Sequence, residues 1–146
     1  PILGVCNGFQ ILVESGLLPG VLLKNDSLNF MCEWTNLTVE NNKTPFTNKF
    51  ELNQKIPIPI ANGDGRYFVD DETLNQLERK NQIVFKYDQV VNGSSNQIAG
   101  VCNEDGNVVG MMPHPERAAE SEINPHDNKP SSLIFESLLE KIGANN

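Results

Sequence analysis

Cysteine and histidine are scarce in this chain, with three of the first and two of the second among 146 residues. Cys6, Cys32 and Cys102 are widely spaced, odd in number and form no CxxC pair, which excludes a disulfide framework and suits thiols in a reducing compartment. With only His114 and His126 beside them in the sequence, they do not make the ligand spacing of a zinc site, and no metal is expected. Basic residues are few as well: 11 Lys and Arg stand against 19 Asp and Glu, for a net charge of −8, which argues against a nucleic-acid partner. No apolar run approaches the roughly 20 residues needed to cross a bilayer. The first residues carry neither the basic start nor the small-residue cleavage site of a secretory signal. A cytoplasmic protein with no membrane partner is the expectation.

What the chain does have is ordinary globular composition, 38% hydrophobic and 21% charged, in a length that suits a single domain over 1–146. Asparagine is abundant at 19 residues, so the four Asn-x-Ser/Thr triplets at Asn25, Asn36, Asn42 and Asn92 read as chance products rather than glycosylation sites.

Ile2 to Val5 is short, apolar and suited to a buried strand of a parallel sheet. Asn7 to Ser15 turns helical, and Gly16 sits where a glycine closes a helix. "CEWTNLTVEN" alternates as a half-exposed strand does. Three prolines in the next stretch predict loops and an edge strand near Ile56 to Ile60. Asp70 and Asp71 should cap a helix that buries Leu74 and Leu77. "IVFKYD" reads as a strand, and "QIAGVCNEDGNVVGMM" as a hairpin with a type I′ turn at Asp105-Gly106. After a polar, irregular segment ending at Pro130, Ser131 or Ser132 should cap a last helix that covers one face of the sheet through Phe135, Leu138, Leu139 and Ile142.

Two short motifs carry chemistry. Gly4-Val5-Cys6-Asn7-Gly8 fits the G-x-nucleophile-x-G elbow, a strained strand-to-helix turn that lifts the central side chain clear of the sheet. Glycines two residues before and after are expected where the chain doubles back too closely for side chains. A sulfur at the following helix's N-terminus is favoured as thiolate, and the backbone N–H of Asn7 would face a developing oxyanion. By itself the pattern fits a buried structural cysteine as well as it fits a nucleophile.

The second motif is Met112-Pro113-His114-Pro115-Glu116. Proline disfavours helix in the residue before it, so Met112 and His114 should be extended. Residues i and i+2 of an extended chain share a side, which would set the Glu116 carboxylate beside the His114 imidazole. A carboxylate on one ring nitrogen fixes the tautomer and leaves the other free to take a proton. Arg117 reads as a surface or partner contact, and His126 as solvated.

"GVCNGFQIL" followed by "GLLPG", then "NDSLNF", "ENNKTPF", "IANGDGRY", "IAGVCNEDGNVVG" and "MMPHPER", together resemble the glutamine amidotransferase subunits of phosphoribosylformylglycinamidine synthase, a class I (triad) amidotransferase family of purine biosynthesis. The resemblance runs from Pro1 to about Ala118. It implies an α/β fold, a flavodoxin-like open sheet with flanking helices, and a glutaminase in which Cys6 is the nucleophile, His114 the base and Glu116 its orienter. It further implies that Gln10 helps to hold glutamine and that the segment Ser27 to Phe30 meets the amino-acid head group. The ammonia would pass to a large synthetase subunit, with a small third subunit in some bacteria. That partner, not this chain, would bind ATP and Mg²⁺ and convert formylglycinamide ribonucleotide to its amidine.

Two departures accompany the resemblance. Asn62 and Asp64 stand where family members usually have His and Glu, so no ionisable role carries over to position 62. Family members also carry further chain before the elbow, with the first strands of the sheet and a glycine-rich loop that supplies a second oxyanion donor. The chain is therefore expected to be N-terminally truncated, lacking those strands and leaving Ile2 to Val5 with an open edge. Two other readings stay open: an inactive fragment or non-catalytic docking module for the synthetase, and a class I amidotransferase with another acceptor.

Overall fold

A computed structural model describes residues 1–126 and 131–143, so Pro130 lies outside the described residues. Eight strands and three α-helices follow one another as β1 (Ile2–Val5), α1 (Asn7–Glu14), β2 (Val21–Leu23), β3 (Met31–Val39), β4 (Lys55–Asn62), β5 (Arg66–Phe68), α2 (Asp71–Arg79), β6 (Ile83–Tyr87), β7 (Ile98–Cys102), β8 (Val108–Met111) and α3 (Ser132–Lys141). Six strands form a mixed sheet in the order β1-β8-β7-β6-β3-β4, while β2 and β5, which the sequence pattern did not announce, pair as a separate antiparallel ribbon. The class is α/β, as expected.

Only β1 and β8 run parallel, with Val5 opposite Met111. The other pairs in this sheet are antiparallel; the connection between β7 and β8 is too short for a parallel crossover. β1 ends the sheet and its first residue, Ile2, is 48% exposed; the strand is half covered rather than fully buried.

Apolar side chains gather on both faces. Phe9, Leu12 and Val13 of α1 and Leu77 of α2 pack with Ile98, Val101 and Met112 on one face. On the other, Ile134 of α3 joins Phe46, Phe85 and Val109. β4 shows why prolines suit this edge strand: Ile56, Ile58 and Ile60 alternate into the core at 0% exposure, while Pro57 and Pro59 direct their carbonyls outward, where Ser131 Oγ and the His114 N–H donate to them.

Several helix signals act as read. Ser15 ends α1, and Gly16 follows with φ 77°. Asp70 caps α2 by accepting from the Thr73 N–H at 2.8 Å, and Leu77 is buried with Leu74 partly so.

Three local expectations are corrected. At the β7–β8 turn only Gly106 has positive φ, at 70°, and its N–H bonds to Asn103 O at 3.0 Å; a type I′ turn needs two positive angles, so Asp105 does not take that role. In α3 the buried face is Ile134 and Ser137, with Leu138 partly buried against the same core as expected, whereas Leu139 and Ile142 are 44% and 58% exposed. The reason is polar: the Ser137 hydroxyl accepts from the Lys49 N–H at 3.1 Å, which turns the small hydroxyl side of the helix inward. Ser131 precedes α3 without a capping bond and donates to Pro57 O instead.

No helix among the described residues is long and apolar enough to cross a membrane.

Candidate active site

The sheet curls until its two ends meet. β8 is second in strand order and β4 last, yet the chain leaving β8 returns to the outer edge of β4, where the His114 N–H donates to Pro59 O at 2.9 Å. This closure puts the ends of β1, β8 and β4 around one cavity of about 480 Å³, lined by Cys6, Asn7, Gln10, Phe30, Asn62, Asp64, His114 and Arg117 among others.

Cys6 sits between β1 and α1 with φ 52° and ψ −106°, a conformation that costs a non-glycine residue about 1–3 kcal/mol and persists only when its surroundings impose it. They do so here: the Cys6 N–H continues the β1–β8 ladder to Met111 O at 2.8 Å, and Cys6 O accepts from the Gln10 N–H to begin the helix. A Cβ on Gly4 would lie 2.7 Å from Gly8 O and 2.5 Å from Leu12 Cδ1, so the strand and helix touch through bare glycine at position 4. Gly8 differs from expectation, because a Cβ there would meet nothing within 4 Å; its side faces open space and no steric demand requires glycine. Cys6 Sγ lies 3.8 Å from Ala61 O at the end of β4. Cys102, by contrast, is enclosed in the core, where burial pushes its thiol up to about 11.

His114 is 7% exposed, and its Nδ1 lies 2.6 Å from Glu116 Oε1. The pairing is as predicted, but the backbone route differs. His114 is near extended at φ −106° and ψ 87°, after which Pro115–Arg117 form a 3₁₀ turn. The turn folds Glu116 back under the imidazole, with Pro115 at the first position, where its missing N–H costs nothing. Among the described residues Nε2 has no partner at hydrogen-bonding distance, so the Cys6 side chain acts on it as a close polar neighbour rather than through a closed bond. That neighbour is the largest cause raising the imidazole's pKa above 6.5; burial opposes the rise, and Glu116 adds to it.

The opposite wall is the turn from Asn62 to Gly65. Buried Asn25 fastens it: the Asn25 side chain donates to Asn62 O at 2.9 Å and accepts from the Gly65 N–H at 3.0 Å, while its own N–H donates to Gly63 O. Asn92, also 0% exposed, donates to Gly65 O at 2.7 Å. Two asparagines of the sequence's Asn-x-Ser triplets are thus internal fasteners.

Gln10 lines the cavity and donates from Nε2 to Asp64 O at 3.2 Å. Phe30 also lines it and is 68% exposed. Ser27 does not line it; this exposed residue accepts from the Asn29 N–H through its hydroxyl. Arg117, read from sequence as a surface contact, is part of the lining. His126 lies edge-on to Trp34 at 5.0 Å.

The cavity therefore joins a cysteine at a helix start to an oriented imidazole, the parts needed for acyl transfer through sulfur. Comparison with known proteins gives the lineage. The structure of PurLQS from Thermotoga maritima is similar to this chain at 50% identity and a TM-score of 0.84, covering 97% of this chain and 61% of that one. The chain thus spans about three fifths of the relative it matches. A candidate GMP synthase component from Thermoplasma acidophilum (15% identity, TM-score 0.62, 99% of this chain, 58% of that) and a Thermotoga maritima glutamine amidotransferase (16%, 0.54, 99% and 47%) share the fold. The family model of the CobB/CobQ-like glutamine amidotransferase domain matches residues 2–140, and the chain belongs to that family.

Proposed function

We propose that this chain is the glutaminase component of a phosphoribosylformylglycinamidine synthase, acting through Cys6, His114 and Glu116. The observation that carries the reading is that His114, paired with Glu116 at 2.6 Å, lines the same cavity as Cys6, in a chain 50% identical to one in the PurLQS structure.

His114 takes the proton of the Cys6 thiol, the resulting thiolate attacks the side-chain carbonyl carbon of L-glutamine, and the oxygen gains negative charge. The Asn7 N–H, first in α1, is the donor this chain offers to it. As the tetrahedral intermediate collapses, the C–N bond breaks and imidazolium at His114 gives its proton to the departing ammonia. The glutamyl thioester that remains is hydrolysed by water, which loses a proton to His114, and glutamate leaves. Glu116 holds the tautomer and stabilises the imidazolium. Gln10 contacts the substrate from the cavity wall, and of the Ser27 to Phe30 segment it is Phe30 that reaches it.

Ammonia passes to a synthetase subunit that uses ATP and Mg²⁺ to make the amidine of formylglycinamide ribonucleotide, in a complex that includes a small third subunit in some bacteria. A cytoplasmic location goes with this role.

Glutamate release from L-glutamine, measured on the full-length protein mixed with its synthetase, tests the reading. Cys6→Ala should abolish release, and an unchanged rate would reject it.

A further inference from the structure

Beyond the cavity, the inner face of the sheet carries polar groups outside the triad. Thr35, Leu37 and Val39 turn inward along β3, Ile56, Ile58, Ile60 and Asn62 along β4, and Tyr87 at the end of β6 stands opposite Leu37. These side chains share one face, since residues opposite each other across a ladder point the same way. Most are aliphatic. Among the described residues, however, Thr35 Oγ1, the Asn62 amide and the Tyr87 hydroxyl are enclosed there without a hydrogen-bond partner. An enclosed polar group left unpaired costs stability, so each asks for a further role.

Tyr87 is the one of the three that is coupled to the nucleophile. Burial raises its phenol well above the ordinary tyrosine range; the Asn92 amide opposes the rise, and Cys6 is the titratable group whose charge adds to it. Such coupling is mutual: a sulfur anion that makes the phenolate harder to form is itself stabilised by a neutral O–H turned toward it. The hydroxyl is free to turn. Asn92 Oδ1 is taken by the Ser94 N–H and Oγ, so Asn92 offers the phenol a donor and no acceptor. Cys6 has the complementary need. Its Sγ lies 3.8 Å from Ala61 O, an acceptor that suits the thiol and repels the thiolate, so a deprotonated sulfur depends on donors elsewhere. His114, Asp64 and Arg117 are the titratable groups that line the cavity with it, and Arg117 lies 3.6 Å from Glu116, which also holds His114.

We propose that Tyr87 is a positioning residue for the nucleophile, its buried O–H turning toward the Cys6 sulfur as an oriented dipole that stabilises the thiolate from the core side. The inference rests on the reading of Cys6 as the nucleophile and names a residue that readies it.

The test is alkylation of Cys6 by iodoacetamide, a reagent that does not depend on glutamine recognition, followed by peptide mapping of the full-length protein from acid to alkaline pH. Tyr87→Phe should slow alkylation near neutral pH about threefold to tenfold, within the span of one net hydrogen bond. It should leave the rate unchanged in alkali, where the thiol is fully ionised, and lower the NMR midpoint of His114, which the Cys6 side chain raises. Thr35→Val removes an equally unpaired hydroxyl from the same face and should change none of these, which separates the effect from a general loosening of the core. If Tyr87→Phe does not fold, 3-fluorotyrosine placed at position 87, a stronger donor, should speed alkylation near neutral pH. Unchanged rates with the substitutions at position 87, slowing by one factor at every pH, or equal slowing in Thr35→Val would overturn the proposal. Glutamate release by the unsubstituted protein with its synthetase is scored separately: its absence rejects the glutaminase reading, while the dependence of Cys6 alkylation on Tyr87 would still stand.

Discussion

His114 is held from two directions: its Nδ1 lies 2.6 Å from Glu116 Oε1, and its backbone N–H donates to Pro59 O on β4 at 2.9 Å. One contact is local and the other joins opposite ends of the sheet, so the imidazole is oriented by a carboxylate two residues away and positioned by the closure of the fold. If this imidazole is the general base, His114→Ala should lower glutamate release by roughly 100-fold to 10,000-fold. Glu116→Gln should lower kcat by a smaller factor with little change in KM. Steady-state kinetics on both variants checks this.

Titration of the imidazole gives a second prediction. The shift is upward from 6.5, with the Cys6 side chain the largest single cause and Glu116 adding to it through both a hydrogen bond and its charge. By NMR the His114 midpoint should therefore fall in Cys6→Ala and also in Glu116→Gln, which removes both a hydrogen bond and a charge. A raised folded value means the charged ring is favoured in the fold. The stabilisation is thus full below the unfolded value near 6.5 and is lost as pH rises through the folded midpoint.

The two elbow glycines should respond differently. Gly4→Ala forces a Cβ to within 2.7 Å of Gly8 O and 2.5 Å of Leu12 Cδ1, an overpacking expected to cost about 1–3 kcal/mol. Gly8→Ala meets open space in the first turn of a helix, and the gain in helix propensity should leave stability equal or higher by up to about 1 kcal/mol. Urea unfolding of both variants measures the contrast.

The corrected face of α3 can be tested in the same way. Ile134 is 0% exposed, so Ile134→Ala should cost about 2–5 kcal/mol. Leu139 is 44% exposed, so Leu139→Ala should fall within about 0.5 kcal/mol of the parent.

Where a pattern and its punctuation agreed, sequence was enough. Alternating isoleucines and prolines mark β4, and Asp70 caps α2. The partly misjudged α3 face shows the limit: Leu138 of the expected stripe packs on the core, but Leu139 and Ile142 are exposed, and the inward Ser137 is held by the Lys49 N–H, 88 residues away. Cys6 and the His114–Glu116 pair could be singled out because an elbow and a proline-framed His-x-Glu are local signals, and the fold brings Cys6 and His114 to one cavity. The facing wall was not. Asn62 and Asp64 reach the cavity through the closure of β4 onto the end of β8 and through fastening by Asn25 and Asn92, none of which short-range spacing encodes.

The most direct measurement is the intact mass of the full-length protein after exposure to a diazo-ketone mimic of glutamine, followed by peptide mapping. The account predicts one adduct, on Cys6, slowed by added L-glutamine and by His114→Ala, with Cys32 and Cys102 unmodified. Labelling at another cysteine, or at Cys6 with a rate indifferent to both glutamine and His114, would contradict it.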